Sequence, residues 1–326
     1  MKITSMWAGT MAAGLSLGLS VASLPEARAS NLPALNLGFT SFLDGGPPAG
    51  PGWYVQQYLQ FYRDGQIQGP GGGNQLFPTR QGFATAKVDA NIGLTQLLYQ
   101  SDQPLLLGGK WGINLMLPYG KLDTEPRDNL ILSTNSSPWG DLLIGPYLQW
   151  DPVMGPNGPK YVQRVELQFI LPTGSYSSDH PLNLGSNFFS FNPYWAATLW
   201  LTPKWTASWR LHYLWNAENN DPYRLLGASN SQAGQAYHIN FASAYEVLPE
   251  RLRVGINGYF LQQFTETKVN GRSIPNSEEQ VLGLGPGLVY HFSRHNHLFA
   301  NYYWESNAEN RPEGNRFNLR FVHHFH

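Results

Sequence analysis

Hydrophobic and polar residues alternate with a period of two over long stretches of the chain. Between residues 205 and 216 the odd positions are mostly aromatic or aliphatic and the even positions are mostly polar. The same alternation recurs at 161–171 and at 316–325. Successive side chains of a β-strand point to opposite sides, so this pattern predicts strands with one apolar face and one polar face.

The pattern predicts an all-β fold with about twelve strands. Each predicted strand is bounded by segments rich in Gly, Pro, Asn and Ser, which favour turns. The predicted strands lie near residues 53–62, 83–99, 110–120, 139–150, 160–171, 190–201, 205–215, 236–248, 252–263, 280–292, 297–305 and 316–325.

The lengths of the connections between these strands alternate. The first connection, 63–82, is long, whereas 202–204, 249–251 and 293–296 are tight turns. A bacterial outer-membrane barrel has short periplasmic turns, longer extracellular loops and an even number of strands. The sequence therefore predicts a twelve-stranded antiparallel transmembrane β-barrel of the outer-membrane type.

The composition supports this reading. Only 13% of the 326 residues are charged and 14% are aromatic, whereas about 25% charged residues is usual for a soluble protein. A barrel with a lipid-facing outer surface explains the deficit. The net charge of −1 excludes a basic protein that coats nucleic-acid phosphates, and the absence of Cys excludes a disulfide scaffold and a thiolate metal site.

The N-terminal region has the pattern of an export signal. Lys2 precedes an apolar, small-residue run that ends at the sequence Ala27-Arg28-Ala29. Small residues at these spacings predict signal-peptide cleavage after Ala29. We therefore expect three regions: a signal peptide at 1–29, a periplasmic or plug segment at 30–52, and the barrel at 53–326.

The polar faces of the strands supply candidates for the lining of a pore. Such residues would set the selectivity of an open lumen or, paired with one another, fill a sealed one; a barrel of twelve strands lies between the filled and the open sizes. Strand parity gives Lys87, Asp89, Asn91, Arg164, Glu166, Arg210, His212, His238, Glu246, Arg253, Arg316 and Arg320.

Two further residue sets follow from the predicted topology. Aromatic residues in the long loops could capture an apolar solute at the outer surface, and these are Tyr176, Phe188, Phe189 and Tyr223. The last strand carries alternate apolar residues and ends one residue after an aromatic residue, a pattern that outer-membrane barrels tend to show and that the barrel-assembly machinery reads. The residues of this predicted assembly signal are Phe317, Leu319, Phe321 and Phe325.

We predict no enzymatic activity, no cofactor and no metal site. Ser208 and His212 share one strand face, but residues at i and i+4 of a strand are about 13 Å apart, too far for a nucleophile and its base. Histidines flank the turn at 293–296 and recur at the C-terminus. We interpret these histidines as rim residues in water rather than as ligands of Zn²⁺ or Cu²⁺.

Several stretches resemble one known family of outer-membrane proteins, the meta-pathway phenol-degradation type. The resemblance spans about residues 38–325, and its motifs occur in the family's order. They are Gly38–Tyr54, Gly140–Pro146, Leu171–Tyr176, Asn183–Asn187, Trp215–Asn219 and Asn318–Val322. The resemblance implies an outer-membrane barrel, often encoded near genes for aromatic degradation, that admits hydrophobic compounds.

These observations lead to one functional expectation and two alternatives. We expect an outer-membrane channel for passive uptake of small hydrophobic or aromatic compounds, with outer-membrane lipid, the barrel-assembly machinery and the solute as partners and no nucleic acid. The alternatives are a sealed barrel with a structural or adhesive role, and a general porin for small solutes.

Overall fold

The computed structural model describes residues 32–47 and 49–325 of the chain. The predicted signal peptide, including the cleavage site after Ala29, lies outside the described residues. Within the described part of the chain, no helix combines the length and the hydrophobicity that a membrane span requires. The helical residues in this part belong to two short 3₁₀ turns, Pro70–Gly72 and Arg224–Leu226.

Twelve antiparallel strands form the wall of the molecule. Two of them are interrupted, so each of these consists of two segments. The strands are Gly52–Ile67 (β1), Lys87–Leu106 (β2), Gly109–Glu125 (β3), Leu142–Gln149 (β4), Gly158–Glu166 with Phe169–Leu171 (β5), Ser190–Phe191 with Tyr194–Trp200 (β6), Trp205–Asn216 (β7), Ala236–Leu248 (β8), Leu252–Gln263 (β9), Gln280–His291 (β10), Asn296–Glu309 (β11) and Pro312–Phe325 (β12).

Each strand pairs with its neighbours in sequence, and the last strand pairs with the first. The closing register places Tyr58 of β1 opposite Arg320 of β12, and the pairing extends from Trp53 to Ile67. The wall is therefore a closed barrel of twelve strands, as the sequence predicts. An unpaired sheet edge is not tolerated in hydrocarbon, and closure of the barrel removes every such edge.

The connections fall into two sets at opposite ends of the barrel. At one end, here called the turn end, the connections are 107–108, 150–157, 201–204, 249–251 and 292–295. At the other end, here called the loop end, they are 68–86, 126–141, 172–189, 217–235, 264–279 and 310–311. In an outer-membrane barrel the turn end faces the periplasm.

Two predicted loops are instead continuations of strands. Residues 100–109 were expected to connect two strands, but β2 extends to Leu106 and the turn has only two residues. Residues 306–315 were expected as a loop, but β11 and β12 continue to a turn at Asn310 and Arg311. In both cases the backbone pairing continues past the apolar alternation, so the sequence pattern ends before the strand does.

Short strands outside the barrel wall decorate the connections. Leu76–Thr79 pairs with Gly82–Thr85 in the first loop, and Val153–Gly155 extends the hairpin between β4 and β5. A three-stranded unit links two further loops at the loop end. Its strands are Ser231–Gln232, Lys268–Val269 and Arg272–Ser273.

The apolar face of the wall points outward. Aromatic side chains cluster there near both ends, for example Trp53 with Tyr99 at the turn end and Phe189 with Trp215 at the loop end. Aromatic girdles at the two interfaces are typical of barrels in outer membranes. The exposed apolar surface is therefore the surface that lipid covers.

A glycine on β10 permits close approach of the neighbouring strand. A Cβ atom at Gly285 would lie 2.1 Å from the backbone carbonyl oxygen of Tyr302 on β11. A side chain at this position must push the two strands apart, whereas a Cβ atom at Gly73, in a loop, would have open space around it.

We therefore expect Gly285→Ala to destabilise the barrel by about 1–3 kcal/mol, the range for overpacking. Gly73→Ala is the matched control and should change stability by less than about 0.5 kcal/mol. Urea unfolding in detergent, followed by tryptophan fluorescence, measures both variants. Equal midpoints for the two variants would refute the close approach of β10 and β11.

Candidate channel lumen

The segment that precedes β1 runs through the interior of the barrel. At the loop end the Leu32 amide donates to Glu279 Oε1 (3.4 Å). At the turn end the Pro51 carbonyl lies 2.8 Å from His324 Nε2. Leu37 and Phe42, in between, are 3% and 1% exposed. We call residues 32–51 the lumen segment; its described part fills the centre of the barrel from one end to the other.

Asparagine side chains of the wall hold the backbone of the lumen segment. Asn240 accepts from the Gly38 amide (2.7 Å) and donates to the Asn36 carbonyl (2.8 Å). Asn318 Nδ2 and the Tyr303 hydroxyl both donate to the Gly38 carbonyl, at 2.7 and 2.9 Å. These amides replace the water that a buried backbone would otherwise need.

Gly38 is required at this point for two reasons. Its φ of +78° lies in the left-handed region that glycine adopts without strain. A Cβ atom there would also lie 2.8 Å from the Tyr303 ring and 3.0 Å from the Tyr259 ring. The first residue of the family-like motif is thus fixed by the narrowness of the lumen.

An ion pair ties the lumen segment to the wall. Asp44 receives two hydrogen bonds from Arg210 on β7, at 2.7 Å each from Nε and Nη2. Both side chains are buried, at 5% and 8% exposure. The Arg210 guanidinium also stacks on the Tyr194 ring at 4.2 Å. A buried bidentate pair of this kind costs several kcal/mol to break from one side.

Phe42 seals the middle of the lumen. It is 1% exposed and packs among buried residues of several strands, including Tyr54, Tyr147 and Val289. A Cβ atom at Gly287 of β10 would lie 3.0 Å from the Phe42 ring. Gly287 therefore gives Phe42 its space.

Two cavities lie on opposite sides of this seal. The turn-end cavity has a volume of about 820 Å³ and is lined by Leu43, Asp44 and the polar faces of several strands. The loop-end cavity has a volume of about 290 Å³ and is lined by Leu35, Leu37 and Phe39 of the lumen segment. Among the described residues, none lines both cavities. Residues 40–42 line neither cavity and lie between the two together with buried side chains of the wall, so the lumen consists of two separate vestibules.

Nine of the twelve predicted lumen residues face the interior. They are more than nine-tenths buried except for Glu246, whose side chain is 15% exposed at the turn end. This group comprises Arg164, Glu166, Arg210, His212, His238, Glu246, Arg253, Arg316 and Arg320.

The other three, Lys87, Asp89 and Asn91, face outward, and their assignment to the lumen is wrong. Lys87 Nζ lies 3.0 Å from Asp64 Oδ1, and Asn91 Oδ1 accepts from Arg63 on the outer face. The opposite face of this part of β2 is apolar, because Val88 packs on a cluster beneath the first loop. Beyond the hydrocarbon layer the outside of the wall meets water, so the inside–outside pattern is inverted there.

Buried carboxylates that strand parity did not single out organise the loop-end half of the lumen. Glu305 on β11 accepts from Tyr62, from Tyr259 and from the Gly314 amide, and Arg316 Nε donates to it at 2.9 Å. Its side chain is fully buried. Its position on the same face as His297 and Tyr303 is the sequence signal that could have found it.

Arg164 and Glu166 have separate partners, although they are adjacent on one strand face. Glu166 accepts from Tyr194 (2.5 Å) and from Asn114 (3.1 Å). Arg164 Nε donates to Gln149 Oε1 (3.1 Å), and its guanidinium stacks 4.1 Å from the Tyr147 ring.

Three of the four predicted capture residues, Tyr176, Phe188 and Tyr223, line the loop-end cavity. The Tyr176 hydroxyl donates to the Asp221 carbonyl and Tyr223 donates to the Ile131 carbonyl. Burial raises the pKa of both phenols above the usual value, so they stay neutral.

Phe189 does not belong to this cavity, and its assignment as a capture residue is wrong. Its ring packs against Phe169 at 6.0 Å and near Trp215 at 6.5 Å on the outer wall. Phe188 points inward, and the next residue along an extended backbone points to the opposite side. Phe189 therefore belongs to the lipid-facing aromatic girdle.

Four of the family-like motifs meet in one structural knot at the loop end. Asp141 is buried and accepts from the Gly174 amide (2.8 Å) and from the amide and hydroxyl of Ser186 (2.7 and 2.5 Å). Asn187 donates to Asn219 (2.8 Å) alongside. These bonds between the motifs hold the loops against the barrel.

The turn-end histidines form pairs. The Nδ1 atoms of His291 and His297 are 2.7 Å apart, and those of His295 and His324 are 3.0 Å apart. His326 lies outside the described residues. Within the described ranges, no group of three or more potential ligands is arranged to hold a metal ion.

Ser208 and His212 also have separate partners. Ser208 accepts from the Leu43 amide (3.0 Å), whereas His212 stacks on His238 with ring centroids 4.0 Å apart. The predicted assembly residues of β12 lie on its outer, partly exposed face, opposite the buried Arg316 and Arg320. These residues are Phe317, Leu319, Phe321 and Phe325.

A family model described as "Putative MetA-pathway of phenol degradation" matches residues 65–321. This match covers most of the barrel, from the end of β1 to the middle of β12. The chain belongs to this family. This phenol-degradation family member has the barrel fold that its sequence motifs implied.

Known structures show the same architecture. The family member is similar to an outer-membrane channel from Pseudomonas putida F1, with a TM-score of 0.72 and 19% identity, over 90% of this chain and 100% of that chain. It is more distantly similar to the KdgM porin (TM-score 0.42, 7% identity, 84% and 99% covered) and to the CymD monoaromatic hydrocarbon channel (0.38, 8%, 86% and 91%). The first similarity shows the fold, and the other two are too weak to support an argument. Among curated proteins, none matches the sequence significantly.

The Asp44–Arg210 pair yields a prediction about closure of the lumen. Asp44→Asn removes the charge that holds the lumen segment and leaves Arg210 buried without its partner. We expect the ratio of open to closed states in planar bilayers to rise by about tenfold or more. Asp64→Asn is the control, because Asp64 is an exposed acid on the outer face. Identical gating of both variants and the unmodified protein would contradict a closing role for this ion pair.

Proposed function

We propose that the protein is an outer-membrane channel for the passive uptake of small hydrophobic or aromatic compounds. The observation that carries the proposal is the pair of partly apolar vestibules, one at each end of the lumen, with the middle of the lumen segment and buried side chains of the wall between them. Membership of the phenol-degradation family supports aromatic compounds as the cargo.

The loop-end vestibule has the chemistry of an entry site. Leu35, Phe39 and Phe188 supply apolar walls, and Tyr176 and Tyr223 add neutral phenols at its edge. Its volume of about 290 Å³ lies at the lower end of the usual range for small-molecule pockets. A single aromatic ring with a small polar group suits a site of this size and polarity.

Passage to the turn-end vestibule requires displacement of the lumen segment. No backbone ladder joins the described part of this segment to the wall, and its polar contacts are to side chains such as Asn240, Asn318 and Arg210. The segment can therefore leave the lumen without breaking the backbone pairing of the barrel wall. In this proposal, residues 30–52 act as a plug that opens the channel by moving.

The proposal includes the route by which the protein reaches the membrane. Signal peptidase would cleave after Ala29, and the assembly machinery would read Phe317, Leu319, Phe321 and Phe325 on the last strand. The turn end would then face the periplasm and the loop end the exterior. No catalytic role is proposed for any lumen residue.

A sealed barrel is the second candidate, and one observation favours it. Phe42 and the residues around it fill the centre of the lumen, and buried side chains fill narrow barrels in general. A sealed barrel would serve as a structural or adhesive element through its loops. Phe42→Ala separates the two candidates. In a channel with a mobile plug the truncation changes solute uptake, whereas in a barrel with a fixed core uptake stays unchanged.

We predict that expression of the protein raises the initial uptake of radiolabelled phenol at limiting concentration in a Gram-negative host that lacks it. Tyr176→Ala/Phe188→Ala should reduce this uptake by about tenfold, because the entry site loses two apolar contacts. Phe189→Ala, on the lipid-facing wall, is the control and should leave uptake unchanged. The sealed barrel would be favoured if phenol uptake equals that of the host without the protein, both for the unmodified protein and for Phe42→Ala.

A further inference from the structure

Arginine charge is concentrated in the turn-end cavity. Seven cationic and four anionic side chains line this cavity, whereas the whole chain has a net charge of −1. Excess positive charge inside a low-dielectric wall attracts anions more strongly than the same charge on an open surface. The question is which of these cations are available to a ligand.

Four buried arginines of the lumen have carboxylate partners, and two of them, Arg210 and Arg253, line this cavity. Arg210 pairs with Asp44 and Arg316 with Glu305, as described above. Arg253 lies 3.5 Å from Glu246, and Arg311 lies 3.4 Å from Glu279. The charges of these arginines are compensated within the protein.

Arg164 and Arg320 differ from the other four. They are 5% and 7% exposed, and no ion pair among the described residues involves either of them. The buried Nε of Arg320 has no hydrogen-bond partner. Glu166 lies near Arg164 along β5, but it is occupied by Tyr194 and Asn114 and does not line the cavity.

Aromatic rings hold both guanidinium groups by their faces. The Arg320 guanidinium lies 3.6 Å from the Phe299 ring centroid, and the Arg164 guanidinium lies 4.1 Å from the Tyr147 ring centroid. Stacking of this kind fixes the plane of a guanidinium without using its in-plane N–H donors. Those donors match the two oxygens of a carboxylate.

The rest of the cavity wall suits an apolar body. Leu98, Phe299 and Val322 line it beside the arginines, and the Tyr58 ring lies 5.8 Å from the Arg320 guanidinium. A volume of about 820 Å³ is within the range of pockets that enclose small organic ligands.

We propose that the turn-end cavity is a binding site for a small aromatic carboxylate, with Arg164 and Arg320 as the groups that recognise the anion and the neighbouring rings as the apolar contact. This inference rests on the proposed channel function and narrows its cargo: the solute that reaches the periplasmic side of the plug carries a negative charge. Neutral aromatics would cross with less retention.

Isothermal titration of the folded, detergent-solubilised protein with benzoate tests this site. Benzamide, a neutral analogue of nearly the same shape, and inorganic phosphate, an anion without an apolar body, are the comparison probes. We expect benzoate to bind at least about tenfold more tightly than either probe. Arg164→Gln/Arg320→Gln should weaken benzoate binding at least about tenfold and leave benzamide binding unchanged. Arg80→Gln, an exposed arginine in the first loop, is the charge-matched control.

The outcomes separate this inference from the channel proposal. Equal binding of benzoate and benzamide, binding of phosphate as tight as that of benzoate, or equal losses in the double variant and in Arg80→Gln would overturn the carboxylate site. If phenol uptake is nevertheless raised by the protein, the channel proposal stands without the site. Heat-modifiable gel mobility of the double variant verifies that it is folded. If it is not folded, Arg164→Lys/Arg320→Lys replaces it, because this variant keeps both charges but loses the planar guanidinium fork. It should show the same selective loss of benzoate binding.

Discussion

The backbone of this barrel must find its hydrogen-bond partners within the protein. In hydrocarbon the backbone of the wall has no water to bond, so the twelve strands pair around a closed ring and the first strand meets the last along its whole length. The same constraint applies inside the wall, where the described part of the lumen segment turns and bends and makes no backbone ladder with any strand. Its amides and carbonyls are satisfied by side chains that the strands direct inward.

This second set of bonds explains features that would otherwise be unrelated. Asn240 and Asn318 lie on inner strand faces because the segment needs amide partners at Gly38. Gly38 and Gly287 lack side chains because the lumen has no space for them beside Tyr303 and Phe42. Arg210 is tolerated in the interior because Asp44 neutralises it. A segment held in this way has a specific position, although only side chains of the wall hold its described part.

Much of the wall follows from the sequence, because lipid on one side and a packed interior on the other impose a period of two. The assignment of alternate residues to the inner and outer faces fails where the outer face meets water instead of lipid. Lys87 and Asn91 lie beyond the lipid, so their polar face is outside, and Phe189 follows an inward-facing residue at the end of a loop. The interruptions of β5 at 167–168 and of β6 at 192–193 are also unpredictable from alternation, since the inward and outward faces continue across them.

For the lumen segment, the sequence indicates that a charged partner exists but not which residue it is. Asp44 is the only charged residue between 30 and 52, and a lone charge in an apolar segment is a signal that a lumen partner exists. The identity of that partner depends on which strand faces the segment at that depth, which is a property of the closed barrel as a whole. The pairing of Asp44 with Arg210, rather than with Arg164 or Arg320, is therefore a result of the three-dimensional structure alone, and among the described residues those two arginines form no ion pair.

The central claim is that the lumen segment is the barrier to passage. Single-channel conductance in planar bilayers, compared between the full-length mature protein and a chain that lacks residues 32–51, tests this claim most directly. Retained heat-modifiable mobility of the shortened chain establishes that its barrel is intact. Our account predicts a larger and more frequent conductance for the shortened chain, because the two vestibules become continuous. Unchanged conductance in an intact barrel would contradict the account.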